Sequence, residues 1–239
     1  MKILEQESLS SIALSHHQVI PVLEKYSLDF CCRGKKTLSE ACAEKNIPLQ
    51  QVMSEMREAT NISRPVMPFT EMTADQLISY IVTHHHFYVK NTMPVILGQL
   101  DKLVTKHGDR YPHLKRVHEL FTAIKNEMES HMQKEEYILF PRISEIAAMS
   151  LEQKEINYPP VYVNGPIQVM EAEHDHAGQC LFEIRDLTNH YNPPEDACTT
   201  HRVCLEALKA FETDLHQHVH LENNILFPMA ETLIRTPVI

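Results

Sequence analysis

The chain of 239 residues contains no tryptophan and only five glycines. No apolar run approaches the roughly 20 residues that span a bilayer, so the sequence predicts no membrane helix. The scarcity of glycine and of alternating apolar segments argues against a β-rich protein. Basic residues are also in deficit, with 22 against 32 acidic ones, and the net charge of −10 disfavours nucleic acid and anionic membrane surfaces as partners.

The first residues, Met-Lys-Ile-Leu-Glu-Gln-Glu-Ser, do not contain the apolar core of a secretory signal. We therefore expect a cytoplasmic protein in which all six cysteines are reduced thiols. Four of them, Cys42, Cys180, Cys198 and Cys204, do not have the spacing of a metal motif.

One segment of the sequence is present twice. Residues 131–141 read His-Met-Gln-Lys-Glu-Glu-Tyr-Ile-Leu-Phe-Pro, and residues 218–228 read His-Val-His-Leu-Glu-Asn-Asn-Ile-Leu-Phe-Pro, with six of eleven positions identical. A histidine and a glutamate four residues apart lie on one face of a helix, about 6 Å apart along its axis, and can bind one ion. The pairs His131/Glu135 and His218/Glu222 therefore predict a site for two metal ions.

The duplication extends beyond these pairs. A shift of 87 residues superimposes the apolar stripes that precede them, and a shift of 88 superimposes His86 on His174. Each half is thus predicted to be a helix with one histidine followed by a helix with His-x-x-x-Glu, which makes the fold all-α with a four-helix bundle. Helical periodicity alone leaves the choice among His84, His85 and His86 open, whereas the offset to His174 selects His86.

The predicted donors are four imidazoles and two carboxylates. This mixture favours iron, manganese or zinc over copper(I) or an iron–sulfur cluster. The donors occupy the buried stripe of each helix, where ionisable groups without compensation are costly, and both donor types bind metals in their deprotonated form. Carboxylates that bridge two ions in a helical bundle favour a non-haem di-iron centre. Its predicted ligands are His86, His131, Glu135, His174, His218 and Glu222.

A proline-containing segment, Ser63-Arg-Pro-Val-Met-Pro-Phe69, predicts a boundary between two domains because its two prolines interrupt any helix. We expect a small helical domain over 1–62 that carries Cys31 and Cys32, a linker over 63–70 and the bundle over 71–239. In the small domain, Thr37 and Glu40 form a predicted capping box. The predicted bundle helices cover residues 71–106, 112–147, 166–191 and 196–233, with a long connection over 148–165.

The bundle motifs resemble a hemerythrin HHE-type domain, and the whole chain is similar to the iron–sulfur cluster repair di-iron proteins, the RIC (YtfE/ScdA-like) family. The resemblance is carried by Asp29-Phe-Cys-Cys-Arg-Gly-Lys-Lys-Thr37 and by residues 130–136, 165–175 and 221–228. It assigns the ligands to the same six residues and implies two iron ions with an oxo or hydroxo bridge. It also implies repair of iron–sulfur proteins damaged by nitrosative or oxidative stress, which would be the protein's partners.

The resemblance suggests further site residues. In the family, carboxylates equivalent to Glu127 and Glu173 lie near the metal site, and the alternative for each is an exposed helical glutamate. Cys31 and Cys32 are candidates for a redox or iron-transfer role, and their alternative is a pair of core thiols. Two positions depart from the family pattern: Arg33 replaces a glycine after the cysteine pair, and His176 replaces a glutamate near the third ligand. The other histidines, including His216 and His220, are interpreted as solvent-facing or as supporting a ligand.

We expect repair by supply of iron. In the predicted arrangement both glutamates bridge and each half of the duplication holds one iron, with His86 and His131 on the first and His174 and His218 on the second. The alternative is a di-iron nitric oxide reductase, or a sensor that binds nitric oxide or O2. At this level the sequence leaves open whether the protein is an enzyme, and its oligomeric state is also open, with a homodimer among the options.

Overall fold

A computed structural model describes residues 5–32, 34–60 and 69–235. These residues form eight helices and no strand, which confirms the all-α prediction. Arg33 and positions 63–68 of the predicted linker lie outside the described residues. The last two linker positions belong to a 3-10 turn over Phe69–Glu71. Within the described ranges, no helix is long and apolar enough to cross a bilayer.

Four short helices form the N-terminal module, and a 3-10 turn over His17–Val19 leads into the second. The predicted capping box before the third helix is confirmed, because the Thr37 hydroxyl accepts from the Glu40 N–H and the Glu40 carboxylate accepts from the Thr37 N–H at 2.9 Å. Phe30 and Met56 are among the largest side chains of the module's buried core. The helices are α1 (Leu9–Ser15), α2 (Ile20–Lys25), α3 (Leu38–Glu44) and α4 (Leu49–Thr60).

Four long helices form the bundle, and three of them contain a π-helical turn. Hydrogen bonds in a π turn run from residue i to i+5, so the turn contains more residues than an α-helical one. Helix α7 (Val161–Leu187) is α-helical throughout. The other three are α5 (Ala74–Tyr80 and Phe87–His107, π turn Ile81–His86), α6 (His113–Lys134 and Phe140–Leu151, π turn Glu135–Leu139) and α8 (Thr199–Leu221 and Phe227–Arg235, π turn Glu222–Leu226).

The predicted start of α7 at residue 166 is wrong, because the helix begins at Val161 and passes through Pro166. Proline has no N–H with which to bond the carbonyl four residues earlier. That carbonyl belongs to Tyr162, and the Arg142 guanidinium donates to it at 2.8 Å instead. The predicted connection over 148–165 therefore shortens to residues 152–160.

The apolar core of the bundle consists of two clusters, one on each side of a central polar level. The first includes Val89, Phe121 and Leu208, and the second includes Leu77 and Ile143. On each long helix, the predicted ligands lie where the residues of one cluster give way to those of the other. Apolar layers on both sides therefore shield the polar level from solvent.

A buried ion network joins the N-terminal module to the bundle. Arg185 of α7 donates from Nε to the Glu212 carboxylate of α8 at 3.0 and 3.1 Å, and its Nη2 lies 3.8 Å from Glu24 of α2. The Glu24 carboxylate also accepts from His216 Nδ1 at 2.7 Å. His216 is thus a buried contact between module and bundle, in contrast to the solvent-facing or ligand-supporting role read from the sequence.

Loss of Arg185 should destabilise the fold strongly. Arg185→Met leaves the Glu212 carboxylate, which is 3% exposed, without its cation, and we expect a loss of about 3–5 kcal/mol in the free energy of unfolding. Urea titration at matched metal content measures this loss. Arg185→Met combined with Glu212→Met should recover most of it, because the pair is then replaced by apolar groups of similar size.

The control for this measurement is Arg116→Met, which removes an exposed partner of Glu183. We expect little change in stability, because exposed ion pairs are screened by solvent. Equal losses from Arg185→Met and Arg116→Met would contradict the importance of the buried network.

Candidate metal centre

All six predicted ligands meet in the centre of the bundle, and none is more than 1% exposed. Their donor atoms form two groups of four, and within each group every donor lies within 4.8 Å of the others. Both glutamates belong to both groups. One group contains His86, His218, Glu135 and Glu222, and the other contains His131, His174, Glu135 and Glu222.

The predicted division of the imidazoles between the two halves of the duplication is wrong. His86 meets His218, with ring centroids 4.9 Å apart, and His131 meets His174 at 4.7 Å. Helix α5 packs against both α6 and α8, and α6 also packs against α7, so imidazoles from different hairpins can meet in the bundle. Each pair of neighbouring imidazoles therefore contains one histidine from each hairpin.

The two glutamates lie between the imidazole pairs. Glu135 Oε2 is 3.3 Å from His86 Nε2 and 3.2 Å from His131 Nε2. Glu222 Oε1 is 2.8 Å from His218 Nε2, and its Oε2 is 3.2 Å from His174 Nε2. Each carboxylate thus reaches one imidazole of both groups, which is the position of a bridging ligand.

The unsatisfied groups at this level fit a pair of metal ions. His86 Nε2, both Glu135 oxygens and Glu222 Oε2 are buried without a well-aligned hydrogen bond to a described residue, although the imidazole nitrogens and carboxylate oxygens lie 3.2–3.3 Å apart. Buried groups of this kind are costly unless something compensates them. His131 Nε2 and His174 Nε2 are 3.0 Å apart. With a metal–nitrogen distance of about 2.1 Å, this separation corresponds to neighbouring ligands at about 90°.

The electrostatics also favour a cation at this level. Burial alone would raise the pKa of the Glu222 carboxyl, but His218 and His174 hold it well below its usual range. Burial would likewise lower the pKa of His131, whereas Glu135 raises it to about 10. The ionised carboxylates therefore attract positive charge, which protons supply in the metal-free chain and a metal ion supplies when bound.

Three of the six predicted ligands lie in π turns, where a helix is wider than a regular α-helix. Glu135 and Glu222 each open a π turn, and His86 closes the one in α5. Pro141 and Pro228 follow the turns of α6 and α8, and their missing N–H groups favour local opening of the helix. Such turns are frequent at functional sites. The repeated Ile-Leu-Phe-Pro sequence thus explains two of the three turns.

The phenylalanines of the repeated motif fix the planes of two ligand rings. Phe140 stacks on His86, with centroids 5.8 Å apart and ring planes 17° from parallel. Phe227 stacks on His174 at 6.2 Å and 3°. The two contacts are related by the duplication, so each hairpin orients the histidine on its own first helix.

Two supporting residues escaped the sequence analysis. His86 Nδ1 donates to the Glu136 carboxylate at 2.7 Å, and His174 Nδ1 donates to Asn223 Oδ1 at 2.9 Å. These bonds leave Nε2 of both rings free for a metal. Glu136 and Asn223 each follow one of the two glutamates shared by both donor groups, and the shift of 87 residues superimposes them, so the repeat itself contained the signal.

Glu173 and Glu127 have different partners. His131 Nδ1 donates to Glu173 at 2.9 Å, and the Lys134 ammonium contacts the same carboxylate. The hydrogen bond from His131, with that from Lys134, lowers the pKa of Glu173 to about 2. Glu127 instead accepts from His176 Nδ1 at 2.6 Å, and His176 is not among the six donors. Glu173 therefore supports a predicted ligand directly, whereas Glu127 does not.

The fourth imidazole has no such support. His218 Nδ1 is buried without a hydrogen bond to the described residues. The duplication puts His85 at the position that corresponds to Glu173. The ring of His85 stacks on His218, with centroids 5.8 Å apart, but its Nδ1 faces Asp214 at 3.0 Å. The predicted ligands are thus related by the duplication, but the residues at Nδ1 of His131 and His218 are not.

The cysteine pair lies beside one of the predicted ligands, His174. Cys31 and Cys32 are free thiols with their Sγ atoms 3.7 Å apart. Cys32 Sγ is 3.8 Å from the His174 carbonyl oxygen, and Asn223 Nδ2 donates to the Cys31 carbonyl at 3.4 Å. Asn223 therefore contacts both the cysteine turn and the His174 ring.

Fold and site together define a metal-binding four-helix bundle of the hemerythrin type. Residues 76–230 match the hemerythrin HHE cation binding domain, and residues 5–60 match a domain of unknown function, DUF542. The iron-sulfur cluster repair protein YtfE of Pectobacterium atrosepticum is 33% identical over 224 residues, 94% of this chain and 96% of that protein. YtfE of Escherichia coli O8 is 33% identical over 225 residues with the same coverage. The chain belongs to the YtfE family of hemerythrin HHE proteins, as the sequence motifs predicted.

The contrast between Glu173 and Glu127 generates a matched pair of variants. Both side chains are partly buried, 20% and 24% exposed, and both accept from a histidine Nδ1. Glu173→Gln should weaken iron binding about 10–100-fold, because His131 loses the carboxylate that orients it. Glu127→Gln should leave the affinity unchanged. Competition with a chelator measures both affinities, and equal losses would show that Glu173 has no specific role.

Proposed function

We propose that this protein is a non-haem di-iron protein that repairs iron–sulfur clusters damaged by nitrosative or oxidative stress, and that it does so by supplying iron. The names of relatives that are 33% identical over nearly the whole chain support this role. One observation carries the proposal: four imidazoles and two shared carboxylates are buried together, and the Cys31–Cys32 turn approaches them.

The cofactor in this proposal is two iron ions with an oxo or hydroxo bridge. His86 and His218 would hold one ion, His131 and His174 would hold the other, and Glu135 and Glu222 would be available to both. When bound, iron supplies reversible redox chemistry and exchangeable positions at which nitric oxide or O2 can bind. The cytoplasm is the compartment we propose, because it keeps six free cysteines reduced.

The neighbours of the imidazoles determine how firmly each ion is held. Carboxylates that accept from Nδ1 make His86 and His131 stronger donors. His174 has only the neutral amide of Asn223, and His218 has no hydrogen bond at Nδ1 among the described residues. Each ion therefore has one strong and one weaker imidazole, an arrangement that suits iron destined for an acceptor.

Iron transfer tests the proposal directly. Diferrous protein is mixed anaerobically with an apo-ferredoxin-type acceptor, and iron in each protein is measured together with the return of cluster absorption. We expect iron to leave this protein as the acceptor's cluster forms. Glu222→Ala should bind less iron and transfer less, because it removes a carboxylate shared by both donor groups. The control Glu145→Ala should behave as wild type, since the Glu145 carboxylate accepts from Tyr158 and Tyr162 at the surface and belongs to neither donor group.

Other outcomes distinguish the alternatives. Restoration of the acceptor while this protein retains all its iron would contradict direct donation. Nitrous oxide produced in a single turnover of the diferrous protein, without loss of iron, would favour nitric oxide reduction. A stable and reversible adduct with nitric oxide or O2, without transfer or product, would favour a sensor.

A further inference from the structure

We propose that Asp29, Cys31 and Cys32 form a second metal site, which binds ferrous iron in transit between the bundle and the acceptor. The inference rests on the proposed supply of iron, and it adds a site outside the bundle. Among the described residues, this is the one group of three or more histidine, cysteine or carboxylate donors, beyond the six predicted ligands, whose atoms all lie within 4.8 Å of one another.

The donor spacing suits a tetrahedral ion. With metal–sulfur bonds of about 2.3 Å, the 3.7 Å between the two Sγ atoms corresponds to an angle of about 107° at the metal. Asp29 Oδ1 lies 3.4 Å from Cys31 Sγ, and with a metal–oxygen bond of about 2.1 Å this corresponds to about 100°. Both angles are near the tetrahedral value, and the donor atoms of Asp29 and Cys32 also lie within 4.8 Å of each other.

The turn that presents these donors is held in place by Asp29. Its Oδ1 accepts the backbone N–H of Cys31 at 3.2 Å and that of Cys32 at 2.9 Å. Both thiols are thereby directed to the same side as the carboxylate. A carboxylate in this position has a simpler explanation, namely that it only shapes the turn, and the test below separates the two roles.

The turn is also placed for transfer of iron. Cys31 is buried against the bundle core, whereas Cys32 is partly exposed. Cys32 Sγ lies 3.8 Å from the His174 carbonyl, and Asn223 connects the Cys31 carbonyl to the His174 ring. The ion placed for exchange in this proposal is the one between His131 and His174, because the cysteine turn contacts the His174 backbone and Asn223, the residue that accepts from the His174 ring.

Binding at this site exchanges protons and involves no electron transfer. The hydrogen bond with Cys32, together with burial, raises the pKa of the Cys31 thiol well above its usual value. One Fe²⁺ replaces two thiol protons, which gives a complex of two thiolates and one carboxylate with a charge of −1 and releases two H⁺. This deprotonation costs free energy and therefore lowers the affinity of the site for Fe²⁺. A low affinity suits an ion that is to be passed on to an acceptor.

Cobalt(II) is the probe for the site. It is titrated anaerobically into the full chain with its bundle loaded with iron, and thiolate-to-cobalt charge-transfer absorption is recorded together with retained iron. Wild type should show this absorption with its iron retained. Cys32→Ser should remove most of it, whereas Cys198→Ser, a partly buried thiol at the start of α8, should leave it unchanged.

Asp29→Asn separates a ligand from a turn former. The amide oxygen of asparagine still accepts the two backbone N–H groups, but the anionic donor is lost. We expect cobalt affinity to fall about tenfold or more with the fold unchanged by circular dichroism. Wild-type affinity in Asp29→Asn, or absence of thiolate absorption in wild type, would overturn the proposed site.

A transfer assay separates this inference from the proposed function. Cys32→Ser should slow transfer of iron to the acceptor about tenfold or more while the iron content of the bundle is unchanged. Transfer at the wild-type rate would overturn the transit role and leave the repair function standing. Absence of transfer from wild type would overturn the repair function, whatever cobalt shows at the turn.

Discussion

Six ionisable side chains are buried at one level of a helical bundle, between two apolar clusters, and this burial constrains the rest of the structure. Removing imidazoles and carboxylates from water is costly unless each charge finds a partner. The geometry here gives each carboxylate an imidazole from both groups and leaves several donor atoms without a hydrogen bond. The two metal ions of the proposed centre would satisfy these atoms together, and the π turns, the stacked phenylalanines and the Nδ1 acceptors all lie around the same six residues.

The duplication accounts for the symmetry of this centre. The residues that break the symmetry make its two sides chemically different. Glu136 and Asn223 occupy equivalent positions but differ in charge, so His86 and His174 are unequal donors. The N-terminal module, which has no counterpart in the repeat, contacts the His174 side through Asn223. The cysteine turn and the His174 ring therefore share Asn223 as a neighbour, and the exchange of iron that we propose takes place on this side of the centre.

The repeat predicted much of the site because a buried helical stripe tolerates ionisable residues only when they share a partner. It therefore identified all six side chains that meet in the bundle. It did not predict the grouping of His86 with His218, since sequence order specifies the hairpins but not which helices become neighbours. The passage of α7 through Pro166 depends on Arg142, a residue 24 positions away whose contact exists only in the folded chain. Docking of the module through Glu24 and Arg185 is likewise a tertiary contact without a local pattern.

The most direct test of the central claim is anomalous diffraction at the iron absorption edge from crystals of the iron-loaded protein. The account predicts two iron peaks at the centre of the bundle, one between His86 and His218 and the other between His131 and His174, with both glutamates in contact with both. A single peak, or two peaks divided between His86/His131 and His174/His218, would contradict it.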